Sequence, residues 1–421
     1  MSDISKTIEA VWKMESTRLI AAIARVTRDI GIAEELAQDA LVTSMELWPE
    51  EGIPTNPGAW LMTAAKRRAI DWLRRGNMLL QKHEEIAREL EWQQQQLGDA
   101  MERALDQVID DDVLRLVFTA CHPVVPMEGR IALTLRVIGG LTTPEIARAF
   151  LVPEKTMGQR IFRAKKTLTK ANVAFETPSG EELQRRMQSV LSVVYLIFNE
   201  GYTATSGEEW MRAALTDEAL RLGRILVQLL PEESEVHALL SLMELQSSRN
   251  AARRGKNGEA VLLPDQDRSR WDHAQIQRGI TALEHAQQLN GGARFYALQA
   301  AIAACHARAR TAEETDWGRI VLLYDVLLQV NPSAIVALNR AVAVGMANGP
   351  AAGLEALDAI EDATLRNYHL FPSVRGDLLM KMGRLTEAQH EIQRAITMTD
   401  NLREKDLLTE RLAKMQQTAP I

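Results

Sequence analysis

Between Leu141 and Lys170 the apolar positions recur with the period of an α-helix, in two short runs separated by a turn. In the first run Ile146, Ala147 and Phe150 share a side. Thr142 or Thr143 can cap its start, Pro144 suits its first turn, and Glu145 complements the helix dipole there. Pro153 opens the second run, in which Met157, Ile161, Ala164 and Leu168 fall on one stripe and predict a buried face. Upstream, Asn56 can cap a helix that begins with Pro57, and Leu61, Ala65, Ile70 and Leu73 supply its apolar packing. From Glu181 onward the chain is a succession of helical-period segments, broken at Pro231, Asn290-Gly291-Gly292, Pro332 and Gly349-Pro350. Period-two alternation is scarce throughout, so the pattern predicts an all-α protein.

Charge occupies the sides that the apolar stripes leave free. In the 153–170 helix, Lys155, Thr156, Gln159, Arg160, Arg163, Lys166 and Lys170 lie mostly opposite the stripe, and one acidic residue accompanies the basic ones. Two short helices with a basic second member match a helix-turn-helix that places this helix in a major groove. Gln159 and Arg160 are then the base-edge candidates, and Lys155 and Lys166 the phosphate contacts. An ordinary amphipathic helix with a solvated basic face has the same pattern, and Leu151 stands at the turn position where glycine is usual. The 57–75 helix carries Lys66, Arg67, Arg68, Arg74 and Arg75 with Trp60 and Trp72 interleaved, a combination suited to phosphate contact and stacking on unpaired bases. Tryptophans packed in a core beneath arginines would again look alike.

The order of these segments resembles the extracytoplasmic-function (ECF) sigma factors of bacterial RNA polymerase. Ala33 to Trp48 resembles the family's polymerase-docking helix, with Glu35, Leu36, Gln38 and Asp39 at the docking positions. Trp60-Leu61 through Asp71-Trp72-Leu73-Arg74-Arg75 resembles the helix that recognises and melts the −10 element. Where the family usually shows Ala-Arg-Asn there, this chain has Ala65-Lys66-Arg67. Glu145-Ile146-Ala147 through Thr156, Arg160 and Arg163 resembles the −35-reading helix-turn-helix. The resemblance implies a region-2 helical bundle over 1–80, an acidic linker over 81–112 and region 4 over 113–175. The implied partners are core RNA polymerase and promoter DNA, and the implied activity is promoter-specific initiation.

Composition narrows the picture. The 421 residues carry 49 Lys and Arg against 56 Asp and Glu, a formal net charge of −7, so DNA attraction has to come from local patches. His83 to Asp112 is the most acidic stretch and reads as a solvated linker. Cys121 and Cys305 are the only cysteines; two isolated Cys-His pairs lack metal-ligand spacing, and no disulfide framework is expected. The charged N-terminus and the short apolar run Val190–Phe198 give neither a signal region nor a membrane span, which points to a cytoplasmic protein without membrane contact. No Gly-rich phosphate loop, HExxH or GxSxG occurs; no cofactor, metal or catalytic residue is expected, and an enzyme is not.

The segment 181–421 reads as a helical, degenerate repeat array. Gly349 and Gly383 stand 34 residues apart, the tetratricopeptide (TPR) period, and Ala337, Leu338, Ala341 and Leu385, Ala388, Ile392 fit the small and apolar positions of paired helices. One sigma subgroup carries a TPR-like C-terminal extension, whose recurring elements resemble Phe198-Asn199-Glu200-Gly201-Tyr202, Asp265 to Trp271 and Asn339-Arg340-Ala341-Val342. The Asp265-to-Trp271 cluster is expected to be a salt-bridged loop that pins neighbouring helices. Glu200 and Tyr202 are candidates to dock against the sigma part. An extension joined by only the short Glu176–Gly180 break is expected to contact and regulate the sigma domains in cis. Two other functions fit the pattern: a stand-alone helix-turn-helix regulator with a helical sensor or dimerisation domain, and a TPR-like interaction scaffold.

Overall fold

The computed structural model describes residues 3–75, 111–150, 152–202, 212–255, 261–289, 292–360, 365, 368–399 and 402–418. The regular elements among the described residues are helices, and the chain divides into two compact units, Met1–Ile197 and Phe198–Ile421. Residues 81–110 of the acidic linker and Leu151 lie outside the described residues.

The first unit starts with three mutually packed helices, α1 (Asp3–Thr27), α2 (Ile30–Glu51) and α3 (Pro57–Arg75). Leu19 and Ile23 of α1, Ala33, Ala37 and Trp48 of α2, and Leu61 and Ala65 of α3 are all buried. Arg28 takes a left-handed φ of 54° in the turn between α1 and α2. Asp29 then caps α2 by accepting from Ile32 N at 3.0 Å. The cap predicted for α3 forms as well, with Asn56 Oδ1 accepting from Ala59 N at 3.0 Å.

A second group comprises α4 (111–120), α5 (Met127–Val137), α6 (Thr143–Ala149) and α7 (Glu154–Lys170). Thr142 is the residue that caps α6. It accepts from Glu145 N while Glu145 Oε2 accepts from Thr142 N at 2.7 Å, a complete capping box. Pro153 sits one residue before α7 rather than inside it. Met157, Ile161, Ala164 and Leu168 are all buried, as their spacing predicts. Asp112 departs from the solvated-linker reading. It is 1% exposed in α4, 2.8 Å from Arg115 Nη1 and 3.3 Å from Arg25 Nε.

Helix α8 (Gly180–Tyr202) contains the division between the units, at 197/198, and its N-terminal part belongs to the first. Arg186 Nη2 donates to Phe118 O at 2.7 Å and Ser189 Oγ to Cys121 O at 2.6 Å. Arg130 Nη1 donates in turn to Ser189 Oγ at 2.7 Å. Val190, Val193 and Ile197 continue the Arg186 face and are buried. Most of the segment read from sequence as the opening of the extension is thus built into the first unit.

The second unit continues through α9 (Ala213–Leu229), α10 (Ser234–Ser247), α11 (His273–Gln288), α12 (Phe295–Arg308), α13 (Trp317–Val330), α14 (Ala334–Asn348), α15 (Pro350–Asp358), α16 (Leu370–Lys381), α17 (Leu385–Met398) and α18 (Leu402–Thr418). Consecutive helices pack on each other, and α10 touches α9, α11 and α12. Gly349 and Gly383 turn the chain at φ 94° and 75°, values that disfavour a side chain. A Cβ on Gly353 would stand 2.6 Å from Gly345 Cα, so these two glycines let α14 and α15 approach backbone to backbone.

The Asp265-to-Trp271 loop does pin its neighbours, but through main-chain carbonyls. Arg268 Nη1 donates to His306 O and Ala309 O, both at 2.6 Å, and its guanidinium lies 4.8 Å from the Trp271 ring centroid. Arg270 reaches the carbonyls of Ala251 and Arg254. Glu200 pairs with Arg212, and Tyr202 lies under Arg253 at 3.6 Å. Burial holds the Arg253 guanidinium down at about 10.

Candidate nucleic-acid interface

Burying the α7 stripe forces its other residues outward. Lys155, Gln159, Arg163 and Lys166 are exposed, and Thr156 and Arg160 are partly so. Arg160 Nη2 lies 3.0 Å from Glu128 Oε2 of α5, which leaves its fork half engaged. Phe162 stands among these residues with 64% of its surface exposed. Sequence reading overlooked it by treating the outward side as a set of charges. The stripe spacing alone places residue 162 on that side.

The α3 residues separate into groups. Arg67 and Arg74 are exposed, while Trp60 and Trp72 are half-buried. Trp60 meets the buried Trp48 edge to face, with ring centroids 5.5 Å apart. Arg68 turns back to the hydroxyl of Thr43 and the carbonyl of Ala64. Lys66 sits in the neighbourhood of Arg25 and Asp112. Burial, with Arg25 nearby, lowers its pKa against the opposing pull of Asp112. Burial likewise pushes Asp112 up to about 6 despite Arg25 and Arg115. The Arg75 side chain lies outside the described residues.

Of the four α2 residues, Glu35 and Asp39 are exposed, Gln38 is half-buried, and Leu36 is only 7% exposed. Leu36 therefore holds the helix to its core and is not part of an outer surface. Val42 at 51% and Met45 at 56% exposure extend the Glu35–Asp39 face instead, at helical spacing.

Behind that face lies a buried carboxylate absent from the sequence reading. Glu34 is 4% exposed and accepts from Arg136 Nε at 2.6 Å and from Gln38 Nε2 at 2.8 Å. It also pairs with Lys165 of α7. Burial would raise its carboxyl, but Lys165 and Arg136 outweigh that and hold it below the usual carboxylate range.

Comparison with known proteins agrees with this geometry. Residues 12–77 match the model of sigma-70 region 2 and residues 118–168 that of sigma-70 region 4. Residues 186–287 match a family of unknown function, DUF6596. The uncharacterized protein R00370 of Rhizobium meliloti is 40% identical over 386 residues, 91% of this chain and 90% of that protein. A probable ECF RNA polymerase sigma factor, SigI of Mycobacterium tuberculosis, is 25% identical over 184 residues, 43% of this chain and 59% of SigI. The ECF RNA polymerase sigma factor SigK of Mycobacterium bovis is 28% identical over 159 residues, 36% of this chain and 78% of SigK.

Two sigma regions in this order, each on its own helical group, define a sigma-70 transcription-initiation factor rather than an enzyme. The chain carries sigma-70 regions 2 and 4, is similar to ECF-type sigma factors, and belongs with the Rhizobium protein, with which it shares almost its full length. The two sigma-70 regions imply binding to core RNA polymerase and promoter DNA. Among the described residues, no helix is long and apolar enough to cross a membrane.

Proposed function

We propose that α2 docks on core polymerase, α3 engages the −10 element and α7 reads the −35 element. The observation that carries this reading is the α7 face: Lys155, Gln159, Phe162, Arg163 and Lys166 stand outward while every stripe residue is buried. Gln159, Arg160 and Arg163 contact base edges, Lys155 and Lys166 hold phosphates, and Phe162 offers an apolar surface of the kind that meets a thymine methyl. On α3, Arg67 and Arg74 take the phosphates, and the half-buried Trp60 and Trp72 are the residues available for stacking. Glu35, Asp39, Val42 and Met45 form the docking face for polymerase. Replacing Arg160 and Arg163 with Ala tests the −35 assignment; the pair is expected to lose −35 discrimination, whereas Lys155→Ala weakens binding to all sequences alike. Full discrimination in the double variant would overturn the assignment.

The extension acts on the sigma part in cis, as a TPR-like regulatory domain in a cytoplasmic protein. Paired helices α14–α15 and α16–α17, with their glycine turns 34 residues apart, support the TPR-like reading. Promoter affinity and run-off transcription of the full chain, compared with a chain ended after Tyr202, test regulation. Identical values in both forms contradict it.

A further inference from the structure

A quarter of this chain is Asp, Glu, Lys or Arg, but one stretch of the second unit is almost without charge. Between Ile320 and Leu354 the charged residues are Asp325 and Arg340 alone. These two pair with each other, Arg340 Nε standing 2.5 Å from Asp325 Oδ1, so the stretch carries no net charge. Helix α13 is apolar on two sides within it. Ile320 and Leu327 face inward, in a cluster with Leu298, Ile302 and Cys305 of α12 and Ala343 of α14. Leu322, Val326 and Val330 recur every four residues on the outer side, and all three are exposed, Leu322 at 66%. Apolar residues scattered singly on a surface are ordinary, whereas a contiguous apolar face marks a site of association.

Charge at the two ends of α13 selects the partner. Arg319 is exposed in the first turn and has no ion pair among the described residues. Asp316 beside it is engaged in the helix cap, accepting from Arg319 N at 2.9 Å. The last turn holds no basic residue, so the partial negative charge of the carbonyl end is unanswered near Val330. A strongly charged partner finds nothing to match between these ends. A second α13 running the opposite way matches every feature: stripe lies on stripe, and each Arg319 lies beside the other copy's carbonyl end. A parallel pair would instead bring the two Arg319 side chains together. With 14 residues, α13 is about 21 Å long and about 10 Å wide, a footprint of a few hundred Å² on each copy. Stable pairs bury roughly 1,200–2,000 Å² in total, so a contact of this size is a reversible one.

We propose that the outer face of α13 is a self-association surface, along which two copies of the chain pair reversibly and antiparallel. Val326 lies on the twofold axis, and each Leu322 meets the partner's Val330, as a contact between identical patches requires. The surface lies wholly in the extension and uses none of the docking or base-reading residues, so it stands apart from the sigma assignment. It gives the extension a role, setting the oligomeric state, that does not depend on touching the sigma domains.

Sedimentation of the full-length protein, 47.0 kDa as a single chain, tests the pairing. Its average mass should rise toward twice that value as concentration increases through the micromolar range. Val326→Asp sets two carboxylates against each other on the axis and should hold the mass at one chain throughout. Leu322→Asp and Val330→Lys should each do the same alone. Leu322→Asp combined with Val330→Lys should restore the doubled mass, because each introduced anion then faces an introduced cation of the other copy. All three positions are exposed, so the variants should melt with the dilute native chain. A native chain that stays single at every concentration overturns the proposal. So does a doubled mass that survives both Val326→Asp and Leu322→Asp, which would place the contact elsewhere. Single variants that all dissociate, with no recovery in the combined one, overturn the antiparallel register.

Discussion

Consider a chain ended at Pro178 beside one ended at Tyr202. Both lack nearly all of the extension, but only the first lacks α8. The shorter chain frees the carbonyls of Phe118 and Cys121, which Arg186 and Ser189 satisfy in the native structure. Each unsatisfied buried carbonyl costs about 1–3 kcal/mol, less where water reaches it. It also loses Val190, Val193 and Ile197, which follow Arg186 on one face. Burial of such side chains is worth about 1.5–3 kcal/mol each, as an upper estimate. The stripe alone therefore approaches the roughly 5–15 kcal/mol that stabilises a whole domain. Hydrogen exchange across α5–α7, together with thermal melting, should show protection retained in the Tyr202-terminated chain and lost in the Pro178-terminated one. Arg186→Ala in the full chain should cost about 1–3 kcal/mol by the same measurement. A Pro178-terminated chain with native protection in α5–α7 would refute the claim that α8 completes region 4. The distinction matters for any regulatory experiment, because a cut at Pro178 can abolish transcription simply by unfolding the −35 reader.

Three further outcomes follow from single sites. Phe162→Ala should relax the preference for thymine at one −35 position by about 1–3 kcal/mol, read in a binding competition between promoter variants; an unchanged preference removes Phe162 from the interface. Gly353→Ala should destabilise the second unit by about 1–3 kcal/mol in urea titration, because its Cβ meets Gly345 Cα and Ala341 O; no loss would mean that α14 and α15 separate at little cost. Asp112 has a folded-state value of about 6, above the ordinary 3.8, so it binds its proton more tightly when folded. Its contribution to stability falls as pH rises from 3.8 to about 6, and Asp112→Asn should flatten that slope. Glu34, held below the carboxylate range, acts with the opposite sign at lower pH, and so the variant-minus-native difference isolates Asp112.

Local features of the fold were legible because their causes are local. The stripe Met157–Ile161–Ala164–Leu168, the capping of α6 by one of its two candidate threonines and the Asn56 cap all depend on residues within one or two turns, although the reciprocal Thr142–Glu145 box was not foreseen. The helical class of the extension followed from periodicity in the same way. The Glu34 cluster was hidden because its partners are brought together only by packing, and the first of two adjacent glutamates reads as solvated surface. Asp112 was misread for a related reason: in a run of acids only tertiary structure shows which one turns inward. The α8 division was obscured by composition, since a helix shared between units shows no break where they meet. At the candidate interface, the charged residues of α7 stood out on type alone, while Phe162 required attention to which side it faced.

The central claim is that this protein directs core RNA polymerase to promoters through α3 and α7. Run-off transcription with core polymerase on a library of bacterial promoter fragments, with and without the protein, measures it directly. The account predicts initiation that requires the protein, at sites sharing both a −35 and a −10 element, with the −35 preference lost in the Arg160→Ala, Arg163→Ala double variant. Absence of initiation, both by the full chain and by a chain ended after Tyr202, together with no association with core polymerase, would contradict it.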